Sequence, residues 1–285
     1  MEKHKLAICA SKIRKEEKDI FLCLEKRKIS YDYIDSGKVK FHLYNNHSLS
    51  PYRAVLNRCI SYYTSLYAMQ CFESQGLLTV NHSSIIDLCG DKLKTSVVLS
   101  KHNIATPKTA VAFDYDSALE LIEEIGYPVV IKPIVGSWGR LLAKISDRYA
   151  AESILEHKKV LGSPIHHIFY IQEFMQKPDR DIRILVAGNE IIGSMYRRSN
   201  HWITNTARDA IPEACQLTED MIRLTKACIE VVGEGLLAID LIENQHGELF
   251  VNEINPTMEF KGMEQATDIN IADHIVDYLI KVCDS

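Results

Sequence analysis

Several common signatures are missing from this 285-residue sequence. It has no GxxxxGK[ST] loop and no GxGxxG fingerprint, which excludes two widespread glycine-rich nucleotide motifs. Its eight cysteines form no CxxC pair and no Cys/His spacing suited to zinc, so we expect reduced core thiols and no zinc site. It also lacks any run of about 18 apolar residues, the length that a membrane span needs.

Strong positive charge is absent as well. The net charge is −5, and no basic cluster exceeds short pairs such as Arg197-Arg198, so a nucleic-acid partner is not expected. With 46% hydrophobic and 25% charged residues, the composition is ordinary for a globular protein, and its length predicts two or three compact units. The first residues show no signal-peptide pattern, so we expect a cytoplasmic protein without a membrane partner.

The most informative segment that is present is Val129 to Arg140, VVIKPIVGSWGR. It joins a buried-strand pattern to Lys132 and then to a glycine-containing loop. Backbone N–H groups in such a loop can converge on phosphate oxygens, and a lysine supplies a point charge beside them. The segment therefore indicates a phosphate site, with a simple hairpin turn that packs Trp138 on the core as the alternative.

A second informative segment is the hairpin of LLAID (236–240) and LFVNE (249–253), with a turn at 244–248. It brings Asp240, Glu253 and Asn255 to one end of two apolar strands. Their oxygens form the hard-donor set that Mg²⁺ prefers beside phosphate groups. The alternative is a polar strand end with no ligand. The predicted phosphate loop counts against this alternative, because a phosphate site is commonly paired with a cation.

The hydrophobic periodicity predicts alternating strands and helices. Asp91 is a candidate N-cap that places Lys92 in the first turn of a helix, and residues 38–56 are predicted as a loop. The other predicted elements are strands at 6–10, 31–35 and 76–80, helices at 13–28, 62–75, 116–125, 148–157, 218–232 and 269–282, strands flanking the glycine loop and ending near 174, and a hairpin of 186–188 with 190–196.

Six blocks in this order resemble the ATP-grasp ligases of the RimK-like branch, and among them the lysine-biosynthesis ligases of the LysX type. The blocks are DKLKTSVVLSKHNIATPKTA (91–110), YPVVIKPIVGSWGRLLAKISD (127–147), FYIQEF (169–174), DRDIRILVAG (179–188), YRRSNHWITNTAR (196–208) and VNEINPTMEFKG (251–262). The resemblance implies an α/β ATP-grasp fold with two α+β lobes enclosing ATP. We expect an N-terminal α/β pre-domain at 1–90, a central lobe at 91–175 and a C-terminal, metal-bearing lobe at 176–285.

The resemblance also implies roles for individual residues. Lys92 and Lys132 would neutralise ATP phosphates, and Lys132 with Arg183 would stabilise the transferred phosphoryl group. Asp181 would orient Arg183 or contact ribose, with a structural ion pair as the alternative. Further ATP contacts are expected from the flap Gly136, Ser137, Trp138, Gly139 and Arg140, from the hinge strand Gln172, Glu173 and Phe174, whose alternative is a plain core strand, and from Arg198 and Asn205. Mg²⁺ would bind Asp240, Glu253 and Asn255.

The implied reaction is a carboxylate–amine ligation through an acyl phosphate. In relatives of this type, the amino group of α-aminoadipate is joined to the side-chain carboxyl of a C-terminal glutamate on a small acidic carrier protein. Substrate contacts are expected from Arg197, Arg208, Thr257, Phe260, Gly262 and Met263. The branch is often dimeric or tetrameric, so we expect a homodimer or homotetramer.

Two positions depart from the family pattern. Asp209-Ala210 stands where relatives favour two glycines. Gly262-Met263 stands where Asn-Ser or Asn-Thr accompanies α-aminoadipate and Gly-Phe accompanies glutamate. The block at 196–208 favours α-aminoadipate, while glutamate in arginine biosynthesis, glutamate ligation to another protein or peptide, and an ATP-binding module without turnover stay as alternatives.

Overall fold

The computed structural model describes residues 5–44, 52–136, 138–161, 163–204 and 210–284. Its first part is a parallel sheet in the order β2-β1-β3-β4. The elements are β1 (Lys5–Ala10), α1 (Lys15–Lys26), β2 (Tyr31–Asp35), β3 (Tyr52–Arg58), α2 (Tyr62–Ser74), β4 (Leu78–Val80) and α3 (Ser83–Cys89). Parallel pairing requires crossover connections, which α1 and α2 supply.

The predicted loop at 38–56 is wrong at its end, because Tyr52–Arg58 forms strand β3. Asparagine, serine and proline before it hide the strand in the sequence. Ala54, Val55 and Leu56 are fully buried between β1 and β4, so tertiary packing decides the conformation of this segment.

The central part follows α4 (Lys92–Lys101), whose N-cap Asp91 accepts hydrogen bonds from Leu93 N and Lys94 N, as predicted. An antiparallel sheet in the order β5-β8-β6-β7 then carries two helices on one face. Its elements are β5 (Thr109–Ala112), α5 (Tyr115–Ile125), β6 (Val129–Lys132), β7 (Ala143–Ile145), α6 (Arg148–Val160), a 3₁₀ turn (Pro164–His167) and β8 (Phe169–Glu173).

The last part contains an antiparallel sheet in the order β11-β10-β9-β12-β13. Both predicted hairpins are present, as β9 with β10 and as β12 with β13. The elements are β9 (Arg180–Gly188), β10 (Glu190–Arg198), β11 (Ile211–Ala214), α7 (Glu219–Val232), β12 (Gly235–Glu243), β13 (Leu249–Asn255), α8 (Lys261–Ala266) and α9 (Ile271–Asp284).

The hydrophobic core joins the first and last parts. Ile8 and Ile20 from β1 and α1 share one buried cluster with Leu185 from β9 and with Ile275 and Leu279 from α9. The proposed boundaries at 90/91 and 175/176 fall between the sheets, but the packing crosses the first of them. Among the described residues, no helix is long and apolar enough to span a membrane.

Candidate active site

All three parts of the chain contribute to one cleft. Its larger compartment, about 470 Å³, lies between Arg14 and Tyr63 of the first part, Lys92 of α4 and the end of the C-terminal sheet. A smaller compartment of about 100 Å³ adjoins it and reaches the central sheet. Lys92, Trp138 and Glu253 line both, so the two compartments form one continuous site.

A row of charged side chains crosses the C-terminal sheet inside the cleft. Asp181 of β9 lies opposite Arg197 of β10, and Arg183 of β9 lies opposite Asp240 of β12. Asp240 in turn lies opposite Glu253 of β13. Alternate residues of a strand share a face and cross-strand partners are neighbours, so the strand register itself assembles this row.

Asp240 is the most constrained member of the row. Arg183 Nε and Nη2 donate to its two carboxylate oxygens at 2.7 and 2.8 Å, and Arg197 Nη2 lies 3.0 Å from Oδ2. Burial by itself would raise the pKa of this carboxyl group, but the two guanidinium groups hold the pKa well below its usual value. Asp240 is therefore a permanent anion at neutral pH.

Arg197 has one donor left over. Its Nε and Nη2 donate to Asp181 at 2.7 Å, whereas the buried Nη1 has no hydrogen-bond partner among the described residues. Burial opposes its charge, but Asp181 and Asp240 raise its pKa above the usual value. Arg197 lines the smaller compartment, but Nη1 itself is buried, so an anionic ligand has to displace neighbouring atoms before it accepts from this donor.

Lys132 lies at the end of β6, and its side chain is buried. Its Nζ donates to Gln172 Oε1 at 2.6 Å and to Asn252 Oδ1 at 2.9 Å. Burial lowers the pKa of Lys132 to about 8, although Glu253 acts in the opposite direction. A buried lysine bound only by neutral amides in the described structure leaves its charge uncompensated, which suits a phosphate ligand.

Two further lysines approach the same space. Lys92 Nζ donates to the carbonyl oxygen of Gly136 at 2.7 Å and lies 3.7 Å from Glu253 Oε2. Lys177 Nζ donates to Thr204 Oγ1 at 2.6 Å, and burial lowers its pKa. Lysines from three separate segments thus surround the cleft.

The glycine loop covers the junction of the two compartments. Gly136, Trp138 and Arg140 line both, and Gly139 lines the smaller one, whereas Ser137 lies outside the described residues. The indole Nε1 of Trp138 is 3.3 Å from both carboxylate oxygens of Glu259. Trp138 therefore faces the cleft and does not pack in the core of the central sheet.

The predicted hinge strand lies beside Lys132. Gln172, Glu173 and Phe174 line the smaller compartment, where Gln172 Nε2 also donates to Thr109 Oγ1 at 3.1 Å. The side chain of Glu173 is bound within the protein, since its Oε1 accepts a hydrogen bond from the backbone N–H of Lys108. The ring of Phe174 lies 3.7 Å from Lys144 Nζ and contributes an aromatic wall.

The predicted metal ligands are neighbours. Asn255 Nδ2 lies 3.2 Å from Glu253 Oε1 and 3.5 Å from Asp240 Oδ2. A metal would require the amide to present its oxygen, which is a rotation of the terminal group. Two carboxylates and an amide beside lysines fit Mg²⁺, which uses one or two carboxylates together with ligand phosphates.

The remaining predicted residues divide into four groups. Thr257 lines the larger compartment. Arg198 points to the other face of β10, where its Nε donates to Glu213 at 3.0 Å, so strand alternation moves it away from the row that contains Arg197. Phe260 and Met263 are fully buried in the core and Gly262 lines neither compartment, so a direct substrate contact is not supported for these three. Asn205 and Arg208 lie outside the described residues.

The sequence analysis missed several residues of the cleft. Arg14 and Lys177 line it outside the predicted motifs, and Asn252 and Glu259 line it from within the block at 251–262 without a predicted role. Asn252 is the extra residue of a β-bulge in β13, because Asp240 pairs with Glu253 and Leu241 with Val251. Strand alternation alone therefore does not predict that Asn252 and Glu253 line the same cleft. Arg14 and Glu259 are 245 residues apart, and only the tertiary fold brings them together.

Comparison with known proteins identifies the family. A model of the RimK-like ATP-grasp domain matches residues 89–279, and a model of the LysX preATP-grasp domain matches residues 6–88. A solved RimK domain ATP-grasp protein from Sphaerobacter thermophilus superposes with a TM-score of 0.81 at 24% identity, covering 96% of this chain and 98% of that one. That likeness shows the fold.

Relatives of known name match along nearly the whole chain. An "Alpha-aminoadipate--LysW ligase LysX" from Sulfurisphaera tokodaii is 36% identical over 95% of this chain and 96% of its own. A "Glutamate--LysW ligase ArgX" from Sulfolobus acidocaldarius is 34% identical over 96% of this chain and 98% of its own. A "Tetrahydromethanopterin:alpha-L-glutamate ligase" from Methanococcus maripaludis is 31% identical over 94% of this chain and 91% of its own.

The chain belongs to the RimK-like ATP-grasp family, as its sequence blocks predicted. It has the ATP-grasp fold and is an ATP-dependent carboxylate–amine ligase that forms amide bonds.

Proposed function

We propose that this ligase joins the amino group of an α-amino dicarboxylic acid to the side-chain carboxyl of a C-terminal glutamate on a small acidic carrier protein. α-Aminoadipate is the favoured amine, because the block at 196–208 resembles the α-aminoadipate enzymes more closely. Glutamate is the alternative, since relatives named for both amines match the chain similarly. We also propose that the enzyme is cytoplasmic and acts as a homodimer or homotetramer. The observation that carries it is the convergence of Lys92, Lys132 and the Arg197–Asp240–Glu253 row in one cleft.

ATP would lie across the smaller compartment. Its base would lie against Gln172, Glu173 and Phe174, and its phosphates would extend toward Lys132, Lys92 and the glycine loop. The free Nη1 of Arg197 and the under-compensated charge of Lys132 are suited to phosphate oxygens. Phosphoryl transfer needs positioning and charge stabilisation more than a nucleophilic side chain, so these cations are the functional core.

Mg²⁺ would be held by Asp240, Glu253 and Asn255, where it would neutralise negative charge on the phosphate oxygens. Asp240 is already ionised by its two arginines, so it is ready to bind a cation without losing a proton. The carboxylate of the carrier would take the γ-phosphoryl group of ATP, giving an acyl phosphate and ADP. The neutral amine would then attack the acyl carbon from the larger compartment and release phosphate. Closure of the glycine loop would exclude water from that intermediate.

The test is ADP release by the purified protein with ATP, Mg²⁺ and a carrier protein ending in glutamate. α-Aminoadipate and glutamate are compared as the amine, and the product is identified by the mass of the carrier. Preference for α-aminoadipate supports lysine biosynthesis, and preference for glutamate supports the arginine-type route. If the carrier gains no mass with either amino acid, the carrier is not the acceptor.

A further inference from the structure

The larger compartment has to bind an amine substrate that carries both positive and negative groups. An α-amino dicarboxylic acid enters as an ammonium group with two carboxylates. Six charged side chains of the described residues line this compartment, four basic and two acidic: Arg14, Lys92, Arg140, Arg183, Glu253 and Glu259. Because Glu253 belongs to the proposed metal site, Glu259 is the carboxylate left in that wall for an ammonium group.

Glu259 is the exposed edge of a larger buried charge cluster. Arg58 donates to Glu16 and Glu17, and Arg14 donates to Glu17 and Glu259. The cluster therefore contains two arginines against three carboxylates and carries one excess negative charge. Glu16 and Glu17 are buried, whereas the side chain of Glu259 is 32% exposed and lines the cleft.

The carboxylate of Glu259 also has unused acceptor capacity. Its Oε1 accepts from Arg14 Nη1 at 2.9 Å, and Trp138 Nε1 is shared between Oε1 and Oε2. Within the described structure, Oε2 has no other donor, although a carboxylate oxygen can accept two hydrogen bonds. Arg14 is itself fixed by two bonds to Glu17, so Glu259 is held in place without being fully neutralised.

A cation for the substrate carboxylate lies on the same wall. The guanidinium of Arg140 stacks 4.7 Å from the centre of the Trp138 ring. Among the described residues it has no ion-pair partner, so it can receive a carboxylate in a bidentate pair. Arg140 and Glu259 flank Trp138 and offer opposite charges to one zwitterion.

We propose that Glu259 binds the ammonium group of the amine substrate and that Arg140 binds one of its carboxylates, with Trp138 between them. This assignment rests on the proposed function, because it takes an amino acid as the second substrate. It makes Glu259 a specificity residue that selects amino acids over dicarboxylic acids of the same length. An unprotonated dicarboxylate would meet the negative charge of Glu259 and be repelled.

The test is calorimetric binding to enzyme loaded with a non-hydrolysable ATP analogue and Mg²⁺. The ligands are α-aminoadipate and glutamate, each paired with its counterpart lacking the amino group, adipate and glutarate. In Glu259→Gln, amino-acid affinity is expected to fall at least about tenfold, because a charge-assisted bond is lost. Adipate or glutarate is expected to bind the variant as tightly as the wild type or more tightly, because the repulsion is removed.

Glu264→Gln is the matched control. Glu264 also pairs with α1, through Lys15 Nζ at 2.8 Å, but it lines neither compartment, so its variant should match the wild type.

Equal loss of amino acid and dicarboxylate by Glu259→Gln would overturn the assignment, because it indicates general damage to the site. Unchanged amino-acid affinity would overturn it too. If the wild-type enzyme binds the amino acid but never modifies a carrier, only the carrier part of the proposed function is wrong. Wild-type enzyme that binds neither amino acid overturns both.

Discussion

Two buried charge clusters of similar composition behave differently in this molecule. In the first, Arg58 donates from Nε, Nη1 and Nη2 to Glu17, the carbonyl of Met258 and Glu16. In the second, Arg197 donates to Asp181, but its Nη1 is left without a partner in the described structure. Both arginines are almost fully buried.

The difference between them lies in the donors of the two arginines. Around Arg58 every guanidinium nitrogen donates to the protein and the residue lines neither compartment, so this arginine holds the carboxylates of its cluster and not a ligand. Around Arg197 the cluster is incomplete and opens into the cleft. A buried charge is therefore a weak guide to function until its donors and acceptors have been counted.

The largest expected effect is on the stability contributed by the Arg58 cluster. Arg58→Met should lower the free energy of unfolding by about 3–5 kcal/mol, because it leaves Glu16 and Glu17 buried without their partner. Urea denaturation followed by circular dichroism measures the loss. Arg223→Met removes an exposed pair with Asp220 and should change the same free energy by less than about 0.5 kcal/mol. Similar small losses in both variants would contradict this view of the Arg58 cluster.

The next effect is on turnover and concerns the charged row that contains Arg197, Asp240 and Glu253. Glu253→Gln should lower kcat about 100-fold or more while leaving the melting temperature nearly unchanged, because it removes a charged ligand where charge develops. Glu248→Gln is the control, since it lies in the turn of the same hairpin and bonds only to Asn244 in the described structure. Full turnover by Glu253→Gln would remove this residue from the proposed metal site.

A smaller effect is the pH dependence of ATP binding. Lys132 has a pKa of about 8 in the folded protein and about 10.4 when unfolded. If its charge binds phosphate, the Kd for ATP should rise about tenfold from pH 7 to pH 9, as the folded-state lysine loses its proton. Lys132→Arg should bind ATP with little change over this range, because arginine stays charged. An equally steep rise in the arginine variant would assign the titration to another group.

The same shift makes a prediction for stability. Between pH 8 and about pH 10.4 the unfolded chain binds more protons at Lys132 than the folded one. The contribution of this group to the free energy of unfolding therefore rises with pH across that window. Lys132→Met, which cannot titrate, should lose this slope, and urea denaturation at pH 8 and pH 10 measures the difference. An identical slope in both proteins would contradict the burial of an ionisable lysine.

The smallest expected effect is at Arg198. Arg198→Gln should change kcat and the KM for ATP by no more than about twofold, since its partner is the half-exposed Glu213. Arg197→Lys keeps the charge but loses the free Nη1, and its ATP affinity should fall about tenfold. Steady-state kinetics of the two variants compare neighbouring residues on opposite faces of β10. Equal losses would mean that strand alternation does not separate them.

Local pattern was enough to predict most of the fold and part of the site. Periodicity and turn residues predict the helices at 15–26, 62–74 and 219–232 and the hairpin of β12 and β13. Strand alternation also predicts that Asp181 and Arg183 share a face. Applied to Arg197 and Arg198, together with the pairing of β9 and β10, it would have favoured Arg197.

What the sequence could not reveal depends on contacts between distant segments. Strand β3 is specified by burial between β1 and β4, and the role of Arg14 depends on a residue 245 positions away. Phe260 and Met263 are buried in a cluster that also contains residues of β1, β9 and α9. No local propensity encodes these three results.

The core shared by the first and last parts has a consequence for synthesis of the chain. The apolar face of β1 and α1 is covered by Ile275 and Leu279, which leave the ribosome more than 240 residues later. Until then the nascent N-terminal part exposes that face, and Glu16 lacks the backbone N–H groups of Phe260 and Lys261 that it accepts. The first sheet to be made is therefore the last to have its apolar face covered, and the period of exposure is set by translation of the residues between α1 and α9.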